Sequence, residues 1–297
     1  MQNIIKALHF VRYCAIIMPR GDFMQNCMNL SFTAGDLKYS HCYTLDFYED
    51  IPQHFHMGWA FMLVKNGELT YTVEGTTYNI KPVSLIISRP GAVHMLQVKT
   101  PITYERTSIV VTEDFLDKEI LEKLPQELQV LDVSNNPMIL NIYERAQFYL
   151  SNLPDKQIAS MLHALANELL MQVYISTRTS FEPPKHKQEP FIAQILTYIN
   201  SHIQEPLTVE QISDAMSISY GYLHQFFSKH MNMSIKKYIT LQKLLMVQKA
   251  LANDVNPTEA CRQYGFRSYS TFYRNYQRVF GIRPSDNPQQ AITENDL

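Results

Sequence analysis

Two helix-turn-helix patterns, Leu207 to His230 and Asn256 to Phe280, follow one another near the C-terminus, and no other feature constrains the fold as tightly. In each, a short amphipathic helix leads through a tight turn into a second helix whose outer face carries small, aromatic and basic residues. That arrangement places one helix in a DNA major groove. In the first unit Val209, Ile212, Ala215 and Met216 recur at helical spacing, which predicts a buried stripe with Thr208 as N-cap. Ser219 is the predicted cap of the next helix, with Leu223, Phe226, Phe227 and His230 inward. In the second unit Gly265 supplies the turn and Ser268 the cap, and Phe272, Tyr276, Val279 and Phe280 pack.

The opposite faces are what a duplex would meet. The candidates are Ser219, Tyr220, Gly221, His224 and Gln225 in the first unit, and Ser268, Tyr269, Ser270, Thr271 and Arg274 in the second. Gln offers a paired donor and acceptor to adenine, and Arg a fork to guanine. Lys229, Lys237, Arg267 and Arg278 are candidates for phosphate contact. For a single unit the alternative is an ordinary helical hairpin with a solvated outer face; the tandem favours two probes reading a bipartite site about one turn, roughly 34 Å, apart.

At these residues the chain resembles the DNA-binding domain of the AraC/XylS family of bacterial transcriptional regulators. The resemblance runs from Ile195 to Pro284 through YINSHIQEPLTVEQIS, SYGYLHQFF and the closing GFRSYSTFYRNYQRVFGIRP. It implies a seven-helix domain with two helix-turn-helix units joined by a central helix, here Ile235 to Leu251. The chain departs from the family pattern at Ser217 and Asn232, which replace glycines, and at Gln225 and Lys243, where arginine is common. Fewer guanidinium forks imply weaker or differently specified contact in the first unit. Asp286 and Asn287 replace an aromatic and arginine pair, which predicts a short last helix.

Charge divides the chain in the same place. Residues 1–184 carry 14 basic against 19 acidic residues, and residues 190–284 carry 10 against 5, as expected when only the back half meets phosphate. The segment FEPPKHKQEP, Phe181 to Pro190, reads as an extended linker. The expected division is a cupin-like sensing and dimerisation domain at 1–178, a linker at 179–190 and an AraC-type domain at 191–297. Cys14, Cys27, Cys42 and Cys261 show no metal-ligand spacing and read as reduced thiols of a cytoplasmic protein. No unbroken apolar run reaches the roughly 20 residues of a membrane span, and the N-terminus lacks a secretory pattern.

The front half reads as strands followed by helices. Tyr43 to Phe47, Phe61 to Val64, Glu68 to Val73, Thr77 to Ile80, Val83 to Ile87, His94 to Gln97 and Thr103 to Val111 are short, β-branched and aromatic, with turns at Asn66-Gly67, Glu74-Gly75 and Pro90-Gly91. A barrel or jelly roll follows. Helical spacing then places Phe115, Leu116, Ile120 and Leu121 on one helix and Ile139, Ile142, Ala146 and Tyr149 on the next. On a third, Asp155 to Tyr174, the stripe of Ile158, Met161, Leu162, Leu165, Leu169 and Val173 is wide enough for the barrel and a second subunit. The fold class expected is multidomain α+β: an N-terminal cupin-like β-barrel with a helical dimerisation segment, and a C-terminal all-α domain with two helix-turn-helix motifs.

Gln53 to His94 is similar to the cupin-type sensing domain of AraC/XylS regulators, with His54, His56, Gly67, Pro90 and His94 at the pattern's positions. Three imidazoles suit Fe, Mn or Zn. The pattern's carboxylate is replaced by Ala60, so hydrogen-bonding histidines are favoured over a metal, no cofactor is assigned, and an enzyme is not expected. Trp59, Tyr43, Phe61, Tyr71, Arg89 and Arg106 are candidate pocket residues, with plain packing as the alternative for each. Arg89 suits an anionic or hydroxylated ligand, or a loop salt bridge. The ligand-binding candidates are therefore His54, His56, Trp59, Arg89 and His94. The function expected is a cytoplasmic, homodimeric regulator that binds double-stranded promoter DNA and contacts RNA polymerase. It responds to a small molecule, with a sugar preferred, and activates rather than represses. The alternatives are a ligand-independent regulator and a metal-dependent cupin enzyme fused to a DNA-binding domain.

Overall fold

The computed structural model describes residues 27–34, 37–98, 100–179, 181 and 190–286. Cys14, the linker residues 182–189 and Asn287 lie outside the described residues.

The front domain is built from two antiparallel sheets. Strands β1 (Cys27–Ala34), β2 (Leu37–Phe47), β4 (Trp59–Asn66), β7 (Ser84–Ser88), β9 (Ile102–Val111) and β10 (Val130–Asp132) form one, in the order β1-β2-β9-β4-β7-β10. Strands β3 (Ile51–His54), β5 (Leu69–Val73), β6 (Thr76–Ile80) and β8 (His94–Gln97) form the other, in the order β3-β8-β5-β6. The central strands β4 and β7 of the larger sheet are buried on both faces. Phe61, Leu63, Leu85, Ile87 and Ile109 meet the helices, whereas Val64, Ile86 and Tyr104 meet Tyr71, Val73, Ile80 and Leu96 of the smaller sheet.

Helices α1 (Lys118–Lys123), α2 (Pro137–Asn152) and α3 (Asp155–Thr179) cover the outer face of the larger sheet. Asp117 and Asn136 cap the first two by accepting from the Ile120 and Ile139 amides. The wide α3 stripe is used inside the chain: Ile158, Leu162, Leu165, Leu169 and Val173 are buried against α2 and the sheet, and only Met161 of the expected set is half-buried. By length and composition α3 is apolar enough to cross a membrane, and that apolar face is the one packed on the barrel.

The back domain runs through α4 (Pro190–Ser201), α5 (Val209–Ala215), α6 (Tyr220–Met231), α7 (Ile235–Ala252), α8 (Pro257–Gln263) and α9 (Tyr269–Phe280). Pro257 stands in the first turn of α8, where its missing N–H costs no helical bond. One core, including Ile192, Ile195, Ile212, Leu223, Phe227, Leu244, Val247, Phe272 and Tyr276, joins both helix-turn-helix units to α7. Ala215, expected in the buried stripe, is exposed; Ser213 takes the inward position because its hydroxyl is satisfied by the Glu210 carbonyl.

Both turns close in the same way. Ile218 N–H donates to the Ser213 carbonyl and Phe266 N–H to the Cys261 carbonyl, each at 3.0 Å. The residues between, Ser217 at φ 54° and Gly265 at φ 68°, are both left-handed. A side chain other than glycine is strained there by about 1–2 kcal/mol. Ser217→Gly is therefore expected to stabilise the domain by roughly 0.5–1 kcal/mol after the added unfolded-state freedom of glycine. Calorimetry should show a Tm a few degrees higher, and an unchanged or lower Tm would mean that Ser217 carries no conformational strain.

Lys243, expected in the place of a DNA-contacting arginine, is instead in the interior. It is 5% exposed, and its Nζ donates to the Glu205 carbonyl, where burial holds its pKa below the usual lysine range. A Cβ on Gly265 would meet that same carbonyl at 2.7 Å, so the second turn, the α4–α5 connection and α7 converge on one point.

The two domains are docked. Tyr238 Oη donates to Glu74 Oε1 at 3.1 Å, Gln242 Nε2 to the Gly91 carbonyl at 3.2 Å, Gln53 Nε2 to the Met231 carbonyl, and Lys249 Nζ to Glu113 Oε1 at 2.8 Å. Val93, from the front domain, is buried within the back-domain core, with Phe55 and Met57 packed beside it.

Candidate DNA-binding surface and sensing site

On α6, Leu223, Phe227 and Met231 are buried; on α9, Phe272, Tyr276 and Phe280 are. Ser219, Tyr220, Gly221, His224, Gln225 and Lys229 of the first unit are all exposed. So are Arg267, Ser268, Tyr269, Ser270, Thr271, Arg274 and Arg278 of the second. Ser219 and Ser268 also shape the helices themselves, because their hydroxyls accept from the Tyr222 and Thr271 amides and so start the two recognition helices. Thr208 and Gln211 form a reciprocal capping box at α5. On the exposed side of α9, Arg274 Nε donates to the Ser270 carbonyl at 3.3 Å and Arg278 to Asn275 Oδ1 at 2.7 Å. Near the start of α6, Tyr220 and His224 stack with ring centroids 6.4 Å apart, giving that face a flat aromatic element.

Lys237 is exposed near the start of α7 and, with Arg278, borders a cleft of about 740 Å³ between the domains. Gln53, His54, Phe55 and Val93 line it from the front domain, and Lys236, Thr240 and Asn275 from the back. Two of the phosphate candidates thus sit beside the docking interface, a relation no local sequence pattern encodes.

The histidines converge. His54 and His94 ring centroids are 4.3 Å apart, His56 and His94 4.9 Å, and His54 and His56 5.1 Å. His54 ends β3, but His56 lies in the β3–β4 connection rather than in a strand, so a common strand face is not what aligns them. His94 is 3% exposed; desolvation first, then the two neighbouring imidazoles, hold its pKa well below the usual histidine range. It is neutral at neutral pH.

Trp59 and Arg89 stand apart from this cluster. Trp59 shares the helix-covered face with Phe61, and the Arg89 guanidinium lies 4.8 Å above its ring while donating to the Pro125 carbonyl at 2.7 Å. The pair fastens the β7 end to the α1–β10 loop, which corrects their assignment to an interior lining. Phe61 is corrected in the same way. Tyr71 does face the interior, where its hydroxyl pairs with Ser88 at 2.9 Å. Arg106, register partner of inward-facing Val64, lies on the interior side of β9, two residues from Tyr104. The buried Tyr104 hydroxyl and Arg106 Nε have no hydrogen-bond partner among the described residues. Nothing in the sequence marks Tyr104, because an alternating aromatic in a strand reads as core until its unpaired hydroxyl is seen.

Two family models match the chain: the AraC-like ligand binding domain at residues 39–178 and a helix-turn-helix domain at residues 212–289. An uncharacterised helix-turn-helix transcriptional regulator of Escherichia coli, YdiP, is 22% identical over 76% of this chain and 77% of its own length. The XylDLEGF operon transcriptional activator of Pseudomonas putida is 29% identical over 36% of this chain and 35% of its own length. The crystal structure of ToxT from Vibrio cholerae O395 has a TM-score of 0.39 and 11% identity, covering 87% of this chain and 98% of that one.

Proposed function

We propose, from the premise that this chain belongs to the AraC/XylS family of transcriptional regulators, that it reads a bipartite promoter site with α6 and α9 and adjusts its occupancy to a small molecule held in the front barrel. The observation that carries the DNA half is the pairing of two recognition helices, each packed inward and polar outward, on one rigid central helix. The effector half is supported by the match to an AraC-like ligand binding domain; inside that barrel the Tyr104 hydroxyl and Arg106 Nε are buried without a hydrogen-bond partner among the described residues, while Arg106 Nη1 donates to Ser40 Oγ at 3.1 Å. Such donors match a hydroxylated ligand, so a carbohydrate is the effector class preferred.

In this reading the protein is cytoplasmic, activates through contact with RNA polymerase and works as a homodimer; no catalytic step is part of it. Dimerisation would use what the fold leaves exposed on α2 and α3, namely Met138, Phe148, Met171 and Ile175. An effector changes occupancy only through different affinity for the docked and released arrangements of the domains.

Selection of the full chain against a pool of randomised duplexes tests the DNA half. The expected product is one enriched site with two half-sites about 10–10.5 base pairs apart. A folded protein that enriches no sequence would overturn the proposal.

A further inference from the structure

The cleft between the domains is lined by three cations and no acid. Lys236 and Lys237 reach it from the first turn of α7 and Arg278 from α9, and none of its lining residues is Asp or Glu. Lys236, Lys237 and Arg278 form no ion pair among the described residues. Arg278 is held by a neutral group instead, since its Nη2 donates to Asn275 Oδ1 at 2.7 Å.

The arrangement runs against the usual charge preference of helices. The N-terminal end of an 18-residue helix is already positive, and the first turn of α7 carries two lysines and no carboxylate. Ser234 satisfies the Lys237 amide through its hydroxyl, at 3.3 Å, and the Tyr238 amide through its carbonyl, at 3.0 Å. The amides of Ile235 and Lys236 have no acceptor within the helix. Positive charge thus gathers along a cavity without an acid in the lining to balance it, and an anion removes the conflict.

We infer that this cleft binds a phosphorylated small molecule, and that the molecule competes with duplex DNA for Lys237 and Arg278. The site stands on the cleft alone; the competition rests on the DNA-binding reading above. At about 740 Å³ the cleft falls within the roughly 300–1,000 Å³ of ordinary small-molecule sites. A phosphate monoester carries about −1.5 to −2 charges and three acceptor oxygens, which matches three cations and a helix N-terminus better than a single carboxylate does. Phe55 from the front domain and Val279 from α9 supply apolar surface for the body that bears the phosphate. A molecule held there touches the front domain, α7 and α9 together. The cavity admits a small molecule and not a double helix, so the two sources of phosphate exclude one another, and each lowers the affinity for the other.

The test titrates the full chain with inorganic pyrophosphate by calorimetry, with EDTA present and ionic strength held constant with sodium chloride. One equivalent per chain is expected to bind saturably. Lys236→Gln and Arg278→Gln should each weaken that binding at least about tenfold, whereas Lys229→Gln, exposed on α6 outside the cleft, should leave it unchanged. All three side chains are exposed, and circular dichroism confirms that the variants are folded. Pyrophosphate at ten times its dissociation constant is expected to weaken binding to an unrelated duplex about tenfold in the wild type, and about twofold or less in Lys236→Gln, whose side chain has no assigned duplex contact. No saturable binding at constant ionic strength, or binding that Lys236→Gln and Arg278→Gln leave undiminished, overturns the site. Saturable binding with unaltered duplex affinity overturns the competition. Pyrophosphate binding by a chain that selects no duplex supports the site while overturning the DNA-binding reading, so the two failures stay apart.

Discussion

Arg274→Ala is expected to weaken binding to the selected duplex by roughly tenfold to a hundredfold, and binding to unrelated duplex by about threefold or less. The first figure corresponds to about 1–3 kcal/mol, the discrimination that a bidentate arginine supplies against a wrong base. The geometry behind it is local. Arg274 is exposed on α9, on the face opposite buried Phe272 and Tyr276, and its Nε is held by the Ser270 carbonyl one turn back. That bond orients the stem and leaves the two terminal nitrogens as the fork expected to meet O6 and N7 of guanine. Competition binding at fixed salt measures both affinities. An equal loss on both duplexes would place the guanidinium on phosphate, the role assigned to Lys237. Lys237→Ala supplies the contrast: its loss should lower the salt slope by about 0.9 while leaving the preferred sequence unchanged.

The surface that this prediction uses is legible in the sequence, because helix periodicity and capping are local. Thr208, Ser219 and Ser268 cap where expected, and the central helix runs Ile235–Ala252, one residue beyond the expected end. The barrel is legible in outline but not in facing. Trp59, Ala60, Phe61, Met62, Leu63 and Val64 form an unbroken apolar run, because strand β4 is covered on both sides. Such a run gives no period-two signal to say which residues look inward. Phe61 and Trp59 therefore face the helices, although both are plausible as interior lining from sequence. Strand β3, with Pro52 at an edge, and three-residue β10 carry too little pattern to register, and β1 is a weakly alternating edge strand. Lys243 departs from expectation for a related reason: a lone lysine reads as surface unless a buried carbonyl, here that of Glu205, is known to await it. Domain docking has no local signal at all, since its contacts join residues as distant as Glu74 and Tyr238.

That last contact yields the second large effect. Glu74→Lys is expected to weaken domain docking by about 3 kcal/mol, more than a hundredfold, because it puts a second cation near Arg89 in place of the carboxylate that Tyr238 donates to. Glu74 sits at the β5–β6 turn, so releasing the interface exposes the new ammonium to water without disturbing either core. Small-angle scattering should show an expanded chain with the two domains still folded, and an unchanged radius of gyration would show that this contact does not hold them together. Glu74→Gln should stay docked, since its amide oxygen still accepts from Tyr238 and no charge is desolvated. The two variants also separate the effect of pH. Burial raises the Glu74 carboxyl above its usual range, against the lowering by Tyr238 and Arg89. The docked state thus holds this proton more tightly than the released one. Its contribution to docking is complete below the ordinary carboxylate pKa of about 4.3 and fades as pH rises through the raised value. Glu74→Gln should abolish that dependence. Because Lys237 and Arg278 border the cleft that opens on release, Glu74→Lys should also bind unrelated duplex more tightly than the wild type does.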